Sequence, residues 1–139
     1  MYLVDTDVIS ELRKKDKANP RVTAFFKDAA GRDLPLYLAA VTIGELRRGA
    51  ELIRYRGDTR QANVLGRWLD ALLAEYGENV LSFDADAAQL WGRLRVPHPE
   101  NPLDKQVAAT ALLYDLTLIT RNVKHFADTG VKLLDPFAG

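Results

Sequence analysis

Short apolar runs alternate with stretches of helical periodicity along the whole sequence. The runs are Tyr2-Leu3-Val4, Leu36 to Val41, Val80-Leu81-Ser82-Phe83, Leu116 to Thr120 and Val131 to Leu134. All are short, and helical periodicity begins just beyond them, so they read as strands. Between them, Val8, Ile9 and Leu12 share one helical face. Val22, Phe25, Phe26 and Ala29 share another, behind an Asn19-Pro20 start and before a Gly31 stop. Leu46, Ala50 and Ile53 follow Thr42-Ile43-Gly44-Glu45, and Gly57-Asp58 closes that helix. The clearest helix carries Val64, Leu65, Trp68, Leu69, Leu72, Leu73 and Tyr76 and halts at Gly77. Ala87, Trp91 and Leu94 mark a helix over Asp84 to Arg95. Pro97, Pro99 and Pro102 make the next stretch a loop, and Asp104 to Tyr114 is apolar almost all round, as in a buried helix.

Continuously apolar strands separated by helices indicate an α/β fold with a parallel sheet covered on both faces. Right-handed crossovers then bring the strand C-terminal ends to one edge, where ligands of such sheets usually bind. The length, 139 residues, fits one domain over 1–139, and a 47% hydrophobic content is enough for a core. No repeat, linker or low-complexity segment interrupts it. Nineteen basic residues balance nineteen acidic ones, which argues against attachment to nucleic acid or membrane by bulk charge alone. Local basic runs do occur, Arg13-Lys14-Lys15 with Lys17, and Arg47-Arg48; such runs are solvated faces or, with a nucleic-acid ligand, phosphate contacts. With no cysteine, disulfides, thiolate zinc sites and a cysteine nucleophile are excluded. Two aspartates interrupt the opening MYLVDTDVIS where a signal peptide needs an apolar run, and no stretch approaches a membrane span. A soluble, cytoplasmic domain is expected.

The chemistry is sought at the sheet edge. Asp5 ends the first strand, Glu45 lies one turn into the helix after the second, and Asp104 starts the buried helix. Thr120, Arg121 and Asn122 end the fourth strand. Three carboxylates in one crevice repel one another and need a cation, unless some are protonated. Oxygen ligands without histidine or cysteine suit Mg²⁺ or Mn²⁺ rather than zinc, and those ions serve phosphoryl chemistry. Taken singly, each residue has a plainer role. Asp5-Thr6-Asp7 can cap a helix, and Thr42-x-x-Glu45 fits a capping box. Asp104 suits a helix N-terminus, and Asn122 suits a turn. Their coincidence at the strand ends of one sheet outweighs these separate readings. Asp84 and Asp86 read as caps, His98 as a loop residue, and His125 as facing either substrate or solvent. Neither Ser10 nor Ser82 has a nucleophile-elbow setting, and no P-loop or GxGxxG pattern is present.

At these residues the sequence resembles the PIN-domain family, and within it the toxin ribonucleases of bacterial VapBC and FitAB-type toxin–antitoxin pairs. Four pieces carry the resemblance, in the family's order: Leu3-Val4-Asp5-Thr6-Asp7-Val8-Ile9-Ser10; Thr42-Ile43-Gly44-Glu45-Leu46-Arg47-Arg48-Gly49; Asp104 to Ala111; and Leu118-Ile119-Thr120-Arg121-Asn122-Val123-Lys124-His125-Phe126. The resemblance implies a doubly wound α/β fold, a five-stranded parallel sheet flanked by about seven helices. It carries the family's acids onto Asp5, Glu45 and Asp104, as catalytic residues and metal ligands, with Asn122 at the fourth position, often Asp. Asparagine brings no negative charge, which weakens the case for a second metal and leaves one Mg²⁺ held by Asp5 and Asp104. Asp7 stands where relatives often carry Asn or Ser and is positioned to compensate; Thr6 and Thr120 would be supporting hydroxyls. The activity implied is Mg²⁺-dependent (Mn²⁺ as an alternative ion) hydrolysis of RNA phosphodiesters, leaving a 5′-phosphate and a 3′-hydroxyl. The partners implied are a homodimer mate and a cognate antitoxin that fills the active-site groove. Independently of the family, Arg121, Arg47 or Arg48 are candidates to position substrate phosphates. Two other readings stay open: a catalytically silent PIN-like binding module, and a haloacid-dehalogenase-type phosphatase built on Asp5-Thr6-Asp7.

Overall fold

Leu3 and Val4 sit side by side in the first strand, point to opposite faces, and are both fully buried. A strand buried on both faces belongs in the middle of a covered sheet, and there the chain places it. In the computed structural model, which describes residues 1–138, the strands are β1 (Tyr2–Val4), β2 (Leu36–Ala39), β3 (Val80–Leu81), β4 (Thr117–Ile119) and β5 (Leu133–Leu134). All pairings are parallel, in the order β3-β2-β1-β4-β5. Six α-helices accompany them among the described residues: α1 (Thr6–Glu11), α2 (Pro20–Gly31), α3 (Ala40–Tyr55), α4 (Thr59–Tyr76), α5 (Ala85–Leu94) and α6 (Pro102–Leu113). Three short 3₁₀ segments lie at Leu12–Lys17, Gly77–Asn79 and Val123–Phe126.

The alternation along each strand divides the core into two layers. Leu3, Ala39 and Leu118 face α6 residues Val107, Ala108 and Ala111, together with Phe126. Val4, Leu38 and Ile119 face Val8, Ile9, Val22, Leu69 and Leu72 of α1, α2 and α4. The chain winds β1 to β2 to β3 outward on one side, then returns to place β4 against the other side of β1. The strand order therefore reverses between β1 and β4, the crevice where doubly wound sheets hold their ligands.

The parallel five-stranded fold is the expected one; its boundaries differ in places. The count of α-helices is six rather than about seven, because Arg13 to Lys17 offers no apolar face to bury and winds only into 3₁₀ turns. Within that segment Lys15 takes a left-handed φ of 54°. Strand β2 stops at Ala39, so Val41 and Thr42 are helical, and β3 ends at Leu81. Pro102 is not loop but the first residue of α6, where its missing N–H has no helical partner to lose. Caps read from the sequence are present: Asn19 accepts from the Arg21 N–H and Asp84 from the Ala87 N–H. Among the described residues no helix is long and apolar enough to cross a membrane.

Candidate active site

The switch between β1 and β4 is tied together by Asp5. Its backbone N–H donates to the Ile119 carbonyl at 2.9 Å, continuing the sheet ladder one residue past β1. Its side chain then turns into the crevice, where Oδ1 accepts from the Thr6 N–H at 2.8 Å and Oδ2 from the Thr120 hydroxyl at 2.9 Å. Asp5 is thus both the N-cap of α1 and a buried acid, 4% exposed. The two roles are compatible because a carboxylate accepts at both oxygens. Thr120, fully buried, also accepts from the Asn122 N–H at 3.0 Å. One hydroxyl therefore fixes the first acid and the turn that carries the fourth position.

Asp7, one residue into α1 from Thr6, reaches the same loop. Its Oδ2 accepts from the Arg121 N–H at 3.0 Å, while its Oδ1 is buried without a hydrogen-bond partner. Glu45 comes from the second turn of α3. That helix starts at Ala39–Ala40 with no side-chain cap, so Thr42-x-x-Glu45 is not a capping box. Thr42 is buried and accepts from the Thr6 hydroxyl at 3.2 Å, pinning α3 to α1. Asp104 lies in the first turn of α6, whose start is held by the Trp91 indole N–H on the Pro102 carbonyl at 2.9 Å. Buried Lys105 secures the preceding loop through the His98 carbonyl and Glu100.

These acids share one electrostatic field. Burial first, then the charges of Asp7 and Asp104, push the Asp5 carboxyl up to about 7 against the two hydrogen bonds that favour its ionised form. Burial also raises Asp7, with Asp104 and Asp135 adding to it. Glu45 is raised by burial and then by Asp104, with Arg48 opposing. The donor set is oxygen throughout, and a buried, unpartnered carboxylate oxygen beside an acid held near neutrality fits a hard cation. Among the described residues no three acidic or histidine side chains close into a full metal cage.

Of the residues expected here, the structure gathers Asp5, Thr6, Asp7, Glu45, Asp104 and Thr120, and Asn122 follows as an exposed residue that bonds to Thr120 through its backbone. The arginines divide. Arg47 is turned onto α4, paired with Asp70 at 3.2 Å, and the Arg121 guanidinium stacks on Phe137 at 4.4 Å. Arg48 is the one whose charge is felt by Glu45. Three participants escaped the sequence reading. Thr42 was hidden behind the capping pattern, and Asp135 directly follows β5, at the same edge as the other acids. His125, seen only as facing substrate or solvent, shares a 2.8 Å hydrogen bond with Asp104 Oδ2.

Because one hydroxyl serves two partners, Thr120→Val is expected to cost about 1–3 kcal/mol, leaving the buried Asp5 oxygen and the Asn122 N–H unpaired. Urea unfolding should show a lower midpoint at unchanged slope, with Thr120→Ser close to the parent.

Comparison with known proteins agrees with this geometry. The family model described as PIN domain matches residues 2–132. Toxin FitB of Neisseria gonorrhoeae is 32% identical over 143 aligned residues, with 99% of each chain covered. A VapC ribonuclease of Sinorhizobium fredii is 30% identical, covering 99% of this chain and 98% of its own. The crystal structure of FitAcB from Neisseria gonorrhoeae superposes with a TM-score of 0.85 at 31% identity, with both chains fully covered. A phosphatase of the haloacid-dehalogenase type is thereby set aside. With the acids standing at the β1/β4 switch of a β3-β2-β1-β4-β5 sheet and this likeness running end to end, the chain belongs to the PIN-domain family.

Proposed function

We propose that this protein is the toxin of a type II toxin–antitoxin pair, a Mg²⁺-dependent endoribonuclease acting at the Asp5–Glu45–Asp104 crevice. The observation that carries the reading is Asp5: an acid whose pKa is pushed up to about 7 by burial first and by Asp7 next, fixed at both oxygens, at the switch point of the sheet. Similarity to a toxin and to a ribonuclease over nearly the whole chain supports it.

Asp5 and Asp104 would hold the ion, with Glu45 and the free oxygen of Asp7 beside it. When bound, Mg²⁺ or Mn²⁺ lowers the pKa of water and stabilises negative charge on phosphate oxygens. Glu45, raised by burial and by Asp104, takes the proton of the attacking water. The new P–O bond forms in line with the bond to the leaving 3′-oxygen, which breaks as that oxygen takes a proton from solvent, giving a 5′-phosphate and a 3′-hydroxyl. Thr120 keeps Asp5 oriented throughout, and His125 does the same for Asp104 through Oδ2. Arg48 stands near enough to Glu45 to steady a substrate phosphate. The same reading includes a homodimer and a cognate antitoxin that silences the site by occupying it.

The test is antitoxin-free protein incubated with total cellular RNA, with and without Mg²⁺, followed by sequencing of 5′-phosphate ends. Metal-dependent cuts at defined positions are expected. One observation favours a second reading: the fourth position is an uncharged, exposed Asn122. If folded, Mg²⁺-supplied protein cleaves nothing, the chain is a PIN-like binding module.

A further inference from the structure

Two cavities meet beside the acids. The smaller, of about 200 Å³, has Thr6 and Glu45 in one wall and Arg13, Leu65 and Trp68 in another. The larger, of about 620 Å³, shares Arg13, Leu65 and Trp68 and continues outward between the 3₁₀ segment and α4, where Lys14, Lys15 and Arg67 join the wall. Arg13, Leu65 and Trp68 thus stand between an apolar-walled hollow beside Glu45, which Leu46 and Ile53 also line, and a basic hollow outside it; the two are treated as one groove. No acidic residue lines the larger cavity. Its charge is largely uncommitted: Lys14 pairs with Glu11 at 2.8 Å, but Arg13, Lys15 and Arg67 make no ion pair among the described residues. In a chain of zero net charge, such a cluster is a local concentration of cations. Lys15 is held there with φ 54° and ψ −119°, a conformation that disfavours residues bearing a Cβ.

We infer that this groove, lined by Trp68, Arg13, Lys15 and Arg67, binds the single-stranded RNA that flanks the scissile phosphate. The inference rests on the ribonuclease reading and names where the substrate is gripped. Four carboxylates around the reacting phosphate repel a polyanion, so affinity has to come from cations outside the cluster. Two arginines expected to supply it are engaged elsewhere, Arg47 with Asp70 and Arg121 with Phe137. Unpaired Arg13 lines a cavity with Glu45, and unpaired Lys15 and Arg67 line the neighbouring cavity that Arg13 shares. A positive groove with an aromatic lining is what sequence-tolerant binding of single strands uses, phosphates on the cations and a base on the ring.

The experiment compares the parent with Arg13→Ala/Lys15→Ala/Arg67→Ala, three exposed side chains whose removal spares the core. A distant double variant, Arg93→Ala/Lys132→Ala, serves as control. Binding of a labelled 20-nucleotide single-stranded RNA is read by anisotropy across a salt series, and cleavage of the same RNA in Mg²⁺ is split into kcat and KM. The triple variant should raise KM at least about tenfold at 0.1 M salt and flatten the log K against log salt slope by about 2, three contacts at roughly 0.7 each. The control should match the parent. If the parent cleaves RNA while the triple variant keeps its KM and salt slope, the groove assignment is wrong and the nuclease stands. If the triple variant instead loses affinity only for the antitoxin, the groove holds an acidic protein segment and the inference fails. A parent that neither binds nor cleaves RNA overturns both readings together.

Discussion

If the proposed ribonuclease site is right, asparagine in place of Asp5 is expected to lower RNA cleavage at least about a hundredfold and leave the protein folded. Positions that only orient a metal ligand already cost about 10–100-fold when changed, and the proposal makes Asp5 a ligand itself. The fold survives because an asparagine oxygen can still accept the Thr6 N–H, and its amide can face the Thr120 hydroxyl oxygen. It should gain stability at pH 8 in the absence of metal, since a buried charge is removed. Single-turnover cleavage and thermal unfolding measured on one preparation separate the two effects. Growth inhibition and cleavage retained by Asp5→Asn would put the chemistry elsewhere.

The metal-free protein becomes less stable as pH rises from about 4 to 8, the reverse of what a salt-bridged carboxylate gives. The sign follows from Asp5, whose pKa is about 7 when folded and about 3.9 when unfolded. Between these values the folded chain holds a proton that the unfolded chain has lost, so each rise in pH favours unfolding. Three units correspond to about 4 kcal/mol, or on the order of 10 °C in Tm for a chain of this size. Asp7 and Glu45, also raised, push the same way. On the proposed reading Mg²⁺ binds the ionised acids, and it should then restore about 2–3 kcal/mol at a hundredfold excess over Kd at pH 8, with little effect at pH 5. Asp5→Asn should flatten the pH profile and remove most of the Mg²⁺ response. A parent whose Tm rises with pH in EDTA would refute the assignment of Asp5 as the strained group.

Sequence alone revealed the sheet because β1, β2 and β4 are buried on both faces: Leu3 and Val4, Leu38 and Ala39, Leu118 and Ile119 leave no polar alternation to mislead. It placed Asp5, Glu45 and Asp104 correctly at one edge because parallel crossovers leave strand C-termini nowhere else to go. Boundaries were less legible. Ala40 favours helix and Val41 favours strand, so local preference conflicts at this boundary, and the chain is helical there with α3 packed against α4. Arginine roles were not legible at all. Arg47 and Arg48 are adjacent in sequence, yet they project about 100° apart on α3, so one meets Asp70 and the other Glu45. His125 was noticed but its role was not legible, for a similar reason: its partner Asp104 is 21 residues away and joined to it only by the fold.

The Thr120–Asp5 hydrogen bond spans 115 residues. Its acceptor directly follows β1, and its donor comes after α6, one residue past the strand that completes the switch point. Until Leu116 to Asn122 are in place, β1 has only β2 to pair with, Asp5 lacks its hydroxyl, and the crevice has one wall. Contacts this distant form late and slowly. A chain without β4 therefore lacks the assembled crevice, and the acids come to share one wall only after β4 has paired with β1.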